Sequence, residues 1–286
     1  MNPENTISVK EQHEAREQIE LDKQHLNYKG EDRMVSSLDL KNELAEQPTN
    51  GFKLMTPFES LNKAFDGFKY GNLIAIAGHT SHGKTELAIE LARHCISERN
   101  EVAWFNFETT SREVIKRFER KCGLLPTFYI PRKQKDTFKW FDHKVKESIS
   151  KFKTKVIFID SLRELTMMPD INDNHLGSNY SVYVGQVVQR VAKIAIDNNV
   201  IIFLLVDPKK ADETQSLGMS DVGRDSSLIT SIPDAVLTIW QECKRKREGV
   251  DYTGNVYLNI LKNREYGVKY RIKLKFEDWK YTELIN

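Results

Sequence analysis

Gly78-His-Thr-Ser-His-Gly83-Lys84-Thr85 fits the pattern GxxxxGK[ST]. The chemistry that suits such a run is the holding of a polyphosphate. Its glycines let successive backbone N–H groups curl around phosphate oxygens, and a helix that starts behind them points its positive end at the same oxygens. A lysine adds a point charge and a threonine hydroxyl can ligate Mg²⁺. Gly78, His79, Thr80, Ser81, His82, Gly83, Lys84 and Thr85 are therefore expected around the phosphates of a nucleotide, with Lys84 facing phosphate or solvent and supporting no core. His79 and His82 take variable positions of the pattern. No third ligand stands at metal spacing, so filling the loop is their expected part.

Two acids extend this chemistry. Val156-Ile-Phe-Ile-Asp160 is an apolar run that ends in a carboxylate, which would put Asp160 at the C-terminal edge of a sheet, near a metal bound to phosphate. Val102-Ala-Trp-Phe-Asn-Phe-Glu108 is a second such run. A carboxylate at its end could polarise an attacking water, which makes Glu108 a candidate general base. The other reading of Glu108 is a helix cap for the segment at Thr109, Thr110 and Ser111.

The elements that must position these residues are legible from Thr56 onward. Aliphatic runs recur between helical stretches at Leu73–Ala77, Val102–Phe107, Val156–Ile159, Val200–Val206, Ala235–Trp240, Val256–Leu261 and Tyr270–Phe276. Strands alternating with helices predict an α/β fold with a mostly parallel sheet. The first four runs lack polar alternation and are expected as buried central strands. Tyr270-Arg-Ile-Lys-Leu-Lys-Phe276 alternates apolar with basic residues, so the chain should finish in an antiparallel ribbon exposed on one side.

Composition narrows the classes. With 43 Lys plus Arg against 41 Asp plus Glu, the net charge is only +2, so any nucleic-acid surface has to be local rather than global. The 3 cysteines, Cys95, Cys122 and Cys243, are too scattered for a metal knuckle or a disulfide framework. No apolar run approaches the roughly 20 residues that span a bilayer, and the first residues carry no signal-peptide core, so a cytoplasmic, non-membrane protein is expected. Residues 1–50 hold 6 Lys plus Arg and 11 Asp plus Glu, which leaves −5 there and +7 in the remainder. This stretch reads as a charged helix, a break near Gly30 and a short helix over 37–47 with Ser37 as its possible cap, stopping before Pro48. The expected division is thus a charged arm at 1–50 and one large domain at 51–286.

Together these segments resemble the DnaB-like replicative helicases, ring-forming motors built on a RecA-like core. Thr56-Pro-Phe-Glu-Ser-Leu-Asn-Lys-Ala-Phe-Asp-Gly-Phe-Lys-Tyr-Gly71 is similar to that family's entry into the phosphate-loop strand, and Phe107-Glu-Thr-Thr-Ser111 to the segment whose acid is the catalytic glutamate. Gln189–Val200 is similar to the helix and turn before the fourth core strand. Ser220-Asp-Val-Gly-Arg224-Asp-Ser-Ser resembles the channel loop that holds DNA, although it is one residue longer before Arg224. Leu261-Lys262-Asn-Arg264-Glu-Tyr-Gly267 resembles the segment that reaches into the neighbouring subunit's nucleotide. One residue departs from the pattern: Asp207 stands where the family usually has a Gln that senses the γ-phosphate, and an ionised carboxylate cannot donate a hydrogen bond. Fifty residues also leave no room for the family's globular N-terminal domain.

The resemblance implies ATP and Mg²⁺ as cofactors, with Asp160 and Thr85 at the metal, Glu108 on the water, and Arg264 and Lys262 arriving from a neighbour in a homo-oligomer, a hexamer by analogy. Arg264 is the better finger, since its planar fork can contact two oxygens at once. Lys209, Lys210 and Arg224 are the candidate contacts to single-stranded DNA; primase and a loader are further partners the family implies. The basic run Lys244–Arg247 is expected to form a solvated turn. Phe138, Trp140 and Phe141, although interleaved with Arg132, Lys133, Lys135 and Lys139, are expected in the core. The alternative function is a RecA-fold ATPase switch or recombination protein that assembles on DNA or protein without unwinding.

Overall fold

The computed structural model describes residues 17, 18, 20, 21, 23, 24, 26–30, 33–46, 51–135, 137–168, 170, 180–208, 211–223, 225–246 and 249–285. The chain divides into two compact units, Met1–Gly51 and Phe52–Asn286.

In the first unit, helix α1 spans Ser37–Ala45. Its cap is Ser36, one residue before the serine the sequence suggested. Ser36 keeps an extended backbone and its Oγ accepts from the Asp39 N–H at 3.1 Å. An ion pair of Arg33 with Glu43 at 3.3 Å ties the preceding segment to the helix. Leu38, Leu40 and Leu44 are all exposed, and α1 buries none of its side chains. A helix this short is marginal in water without a packed face.

The second unit begins with α2, Glu59–Phe65, which leads into strand β1, Leu73–Gly78. Next come α3 (Lys84–Ser97), β2 (Val102–Asn106), α4 (Ser111–Cys122), α5 (Phe138–Phe152), β3 (Val156–Asp160) and α6 (Leu162–Thr166). Helix α7 (Tyr180–Asp197), β4 (Ile201–Val206), α8 (Met219–Val222) and α9 (Leu228–Ser231) precede four consecutive strands. These are β5 (Ala235–Lys246), β6 (Gly249–Asn263), β7 (Tyr270–Glu277) and β8 (Lys280–Glu283). The eight described strands form one sheet in the order β2-β3-β4-β1-β5-β6-β7-β8. From β2 to β5 all neighbours are parallel, and from β5 to β8 all are antiparallel.

The parallel strands are apolar on both faces because helices cover both. In β1, Ile74 and Ile76 enter one core with Leu61, Leu87, Leu91 and Phe118, while Leu73, Ala75 and Ala77 enter the other with Phe141, Val145, Val187 and Val191. The period of two in a strand distributes one run between two layers. Phe138, Trp140 and Phe141 are buried, as expected of them.

Three expectations need correction. The run at β2 is fully buried but is not central: it is the outermost strand of the parallel half. Tyr129 covers its edge, exchanging backbone hydrogen bonds with Trp104 and Val102 at 2.8 Å each. Continuous hydrophobicity reports burial, and a covered edge is as buried as a centre. Second, Lys244, Arg245 and Lys246 are strand residues opposite Asp251, Val250 and Gly249, so the ribbon runs further out than the predicted turn. Arg247 lies outside the described residues. Third, β8 extends the ribbon past the expected last strand, with Leu274 opposite Glu283 and Phe276 opposite Tyr281. The alternation in β7 is as expected: Ile272 and Leu274 are buried, Arg271, Lys273 and Lys275 exposed.

Candidate nucleotide site

The loop 78–83 links the last residue of β1 to the first of α3, as the motif requires. Gly83 is the N-cap of α3 and holds φ at +92°. That left-handed backbone is unstrained only for glycine, and it turns the chain so that α3 starts with its N–H groups towards the loop. Thr80 and Ser81 are exposed at the tip, whereas His79 and His82 are buried. The Gln241 N–H donates to His82 Nδ1 at 3.1 Å, and His79 Nε2 donates to the Gln215 carbonyl at 2.9 Å. Burial holds the His82 imidazole below its ordinary value, with His79 pushing the same way and Glu213 opposing. The histidines therefore fasten the loop to β5 and to the segment after β4. Among the described residues no group of three or more His, Cys, Asp or Glu side chains gathers as for a metal.

Lys84 is buried, with 8% of its surface exposed, rather than facing solvent. Burial pulls its ammonium down from the usual lysine range, against the pull of Asp160 and Glu108. Its Nζ pairs with Asp207 Oδ1, and Asp207 Oδ2 accepts from Ser161 Oγ at 3.0 Å. Asp207 follows β4 and Ser161 follows β3. The residue that departs from the family pattern is thus the direct partner of the loop lysine.

Asp160 ends β3 and is 1% exposed. Its Oδ2 accepts from Thr85 Oγ1 at 3.2 Å, while its Oδ1 is buried with no hydrogen-bond partner among the described residues. Burial raises its pKa to about 6, opposed by Lys84 and reinforced by Glu108. An orphaned, destabilised carboxylate oxygen beside a threonine hydroxyl suits a hard cation. With these two side chains as its protein ligands, Mg²⁺ here would need phosphate oxygens and water to complete its octahedron.

Glu108 lies just beyond β2, exposed at its surface more than Asp160. The Phe107 and Glu108 N–H groups both donate to the Asp160 carbonyl, at 2.7 and 3.1 Å, which fastens the two acid-bearing strand ends side by side. The helix-cap reading fails: α4 is capped by Thr110, whose Oγ1 accepts from the Glu113 N–H at 3.2 Å.

Lys262 and Arg264 share one side of the chain at the end of β6 but sit far from this cluster. Arg264 Nη1 donates to Asp234 Oδ1 at 2.9 Å, and Asp234 also accepts from the N–H of Leu73, the first residue of β1. The loop leaves from the other end of β1, about 17 Å away at strand rise. Lys262 Nζ donates to the carbonyls of Thr230, Ser231 and Pro233 at 3.0, 2.6 and 2.6 Å, and burial lowers its pKa. It caps the carboxyl end of α9. Lys209, Lys210 and Arg224 lie outside the described residues.

Sequence reading missed Gln215, Gln241, Glu213 and Tyr281 around the loop, and Ser161 on Asp207. The Tyr281 hydroxyl occupies the space that a Cβ on Gly83 would need. Lys121 holds the preceding turn through the Trp279 carbonyl and pairs with Glu90 of α3 at 3.1 Å, while the Arg120 guanidinium stacks 3.6 Å above the Trp279 ring. A strand signal at 280–283 was available in the sequence; its partner was not.

Residues 53–123 match the family model of the DnaB-like helicase C terminal domain. No curated protein matches the chain. Among solved structures, the chain is similar to one described as an ATPase domain, with 18% identity, a TM-score of 0.68, and 87% of this chain and 97% of that one covered. It is similar to a DnaB-like replicative helicase described with its interactions with primase, at 18% identity and a TM-score of 0.67, covering 97% of this chain and 72% of that one. A KaiC-like protein from the hyperthermophilic archaeon Pyrococcus horikoshii shares the fold at 14% identity and a TM-score of 0.59, covering 82% of this chain and 99% of that one. No described helix is long and apolar enough to cross a membrane. Residues 53–123, which carry the loop 78–83 and Glu108, therefore match part of the DnaB-like helicase C terminal domain, and the chain shares its RecA-like fold with a DnaB-like replicative helicase.

Proposed function

We propose that the chain is the motor of a ring-forming, hexameric DNA helicase that hydrolyses ATP with Mg²⁺, moves on single-stranded DNA and unwinds duplex during replication. In this reading Gly78–Thr85 hold the phosphates, Thr85 and Asp160 hold the cation, and Glu108 takes a proton from the attacking water. The observation that carries it is the separation of Arg264 from its own chain's phosphate loop by the length of β1. An arginine at the opposite end of the strand can serve only another subunit's nucleotide, so the ATPase unit would be an interface, as a ring supplies. Lys262 would then act by fixing the α9 end beside Arg264 rather than by touching phosphate. Lys209, Lys210 and Arg224 remain the proposed strand contacts, and primase and a loader the proposed partners. Residues 1–50 are proposed as an arm whose exposed Leu40 and Leu44 dock on a neighbouring copy.

The Lys84–Asp207 pair favours a second reading, an ATPase switch that assembles on DNA or protein without unwinding, because a sensor that cannot donate to the γ-phosphate would uncouple hydrolysis from movement. A forked-duplex assay with ATP and Mg²⁺ separates them. Strand separation that depends on ATP supports the helicase; hydrolysis with the fork intact supports the switch.

A further inference from the structure

Asp207 holds the one side chain of the loop that a phosphate would also need, Lys84, and is itself held by Ser161. Its Oδ1 sits on Lys84 Nζ, the group that in a phosphate loop reaches the β and γ phosphates, and its Oδ2 accepts from Ser161 Oγ at 3.0 Å beside Asp160. The carboxylate thus occupies the lysine's anion position from the β4 side, between the ends of β1 and β3. A buried ammonium is costly without a partner, so in the absence of phosphate this pair satisfies Lys84. When a triphosphate enters, Lys84 has two competing anions. The γ-phosphate must displace Asp207 and then lie next to a carboxylate of the same sign. A diphosphate has no γ-phosphate and would meet less of that repulsion.

We propose that Asp207 is a built-in competitor of the γ-phosphate for Lys84, which makes it the residue that sets the preference of this site between nucleoside tri- and diphosphates. This rests on the phosphate-loop reading above and goes beyond it, since a neutral donor at the same place would have the opposite sign of effect. The displaced carboxylate has room to move: Asp207 also lines a cavity of about 240 Å³ shared with Arg163, Thr166, Pro208 and Asp225. None of the phosphate-loop residues lines that cavity, and it offers the Arg163 cation.

The test is a pair of titrations on the full chain, with a fluorescent non-hydrolysable ATP analogue and with ADP, both in Mg²⁺. Asp207→Asn keeps an oxygen for Ser161 and removes the charge; Asp207→Gln is a second neutral variant should the first fold poorly. The expected result is triphosphate binding tighter by about tenfold in the variants, the equivalent of about 1.4 kcal/mol, with ADP changed by less than about threefold. The same substitution in a Lys84→Ala background should leave the triphosphate affinity where that background sets it. Unchanged or weaker triphosphate binding overturns the proposal, as does an equal shift for both ligands, which a merely structural role would give. A wild-type chain that binds neither nucleotide at millimolar concentration overturns the phosphate-loop reading itself, and this proposal with it.

Discussion

Tyr281, in the last strand of the sheet, lays its hydroxyl against Gly83 of the phosphate loop so closely that a Cβ there would overlap the oxygen. The two residues are far apart in the sequence, and the contact makes the end of the ribbon one wall of the loop 78–83. Burial, with Glu86 and Glu90 nearby, pushes the Tyr281 phenol well above its ordinary range, so it stays neutral against the loop. Gly83 is therefore required twice, for its left-handed backbone and for the space its missing side chain leaves.

Gly83→Ala should destabilise the chain by roughly 1–3 kcal/mol through backbone strain, and by more from the clash with Tyr281. Adding Tyr281→Phe should relieve the clash and leave the strain, so the double variant is more stable than the sum of the single effects. Denaturant unfolding of the four proteins measures this; additive losses would show that the two residues do not touch.

Asp160 gives a pH prediction. Its folded-state pKa of about 6 exceeds the ordinary 3.8, so the group stabilises the fold while it is protonated. That contribution is fully present below about pH 4 and is lost as the pH rises through about 6. Asp160→Asn should therefore stabilise the nucleotide-free chain at pH 8 by about 2–3 kcal/mol, and hardly at all near pH 4. The same variant should lose Mg²⁺-dependent nucleotide binding. Unfolding curves at the two pH values, with and without Mg²⁺ and nucleotide, check both halves.

Glu108→Gln should bind ATP as the wild type does but turn it over at least about 100-fold more slowly, because the amide keeps the shape and loses the basicity. Single-turnover hydrolysis alongside a binding titration is the measurement. Loss of binding would instead assign Glu108 to the structure of the loop.

Arg264→Ala should bind nucleotide yet hydrolyse it about 1,000-fold more slowly. Mixed with Lys84→Ala, it should regain activity at interfaces where an intact Arg264 meets an intact Lys84. Titrating one variant into the other gives a bell-shaped activity curve if the arginine acts in trans. A curve that never exceeds the sum of the components would return Arg264 to its own chain, on Asp234 and the carbonyls of Ser231 and Ile232.

If Arg264 acts in trans as proposed, deleting residues 1–50 should shift assemblies towards monomers and lower ATPase activity with them, since Arg264 would then rarely meet a neighbour's nucleotide. Sedimentation with an ATP analogue decides it, and an intact assembly with full turnover would remove the arm from assembly.

What the sequence determined by itself was local and periodic. The loop pattern between an apolar run and a helix, the acids at the ends of β2 and β3, the period-two alternation of β7 and the burial of Phe138, Trp140 and Phe141 all follow from residue spacing, because each is set by neighbours a few positions away. Tertiary structure decided which distant residues share the loop. Hydrophobicity could not say that β2 is an edge covered by Tyr129, since covered edges and centres bury equally. Spacing could not say that Asp207 pairs with Lys84 or that Tyr281 fills the space above Gly83. Those contacts depend on strand order, in which β4 and β5 flank β1, and on a ribbon that folds back, and neither is written in any local window of the chain.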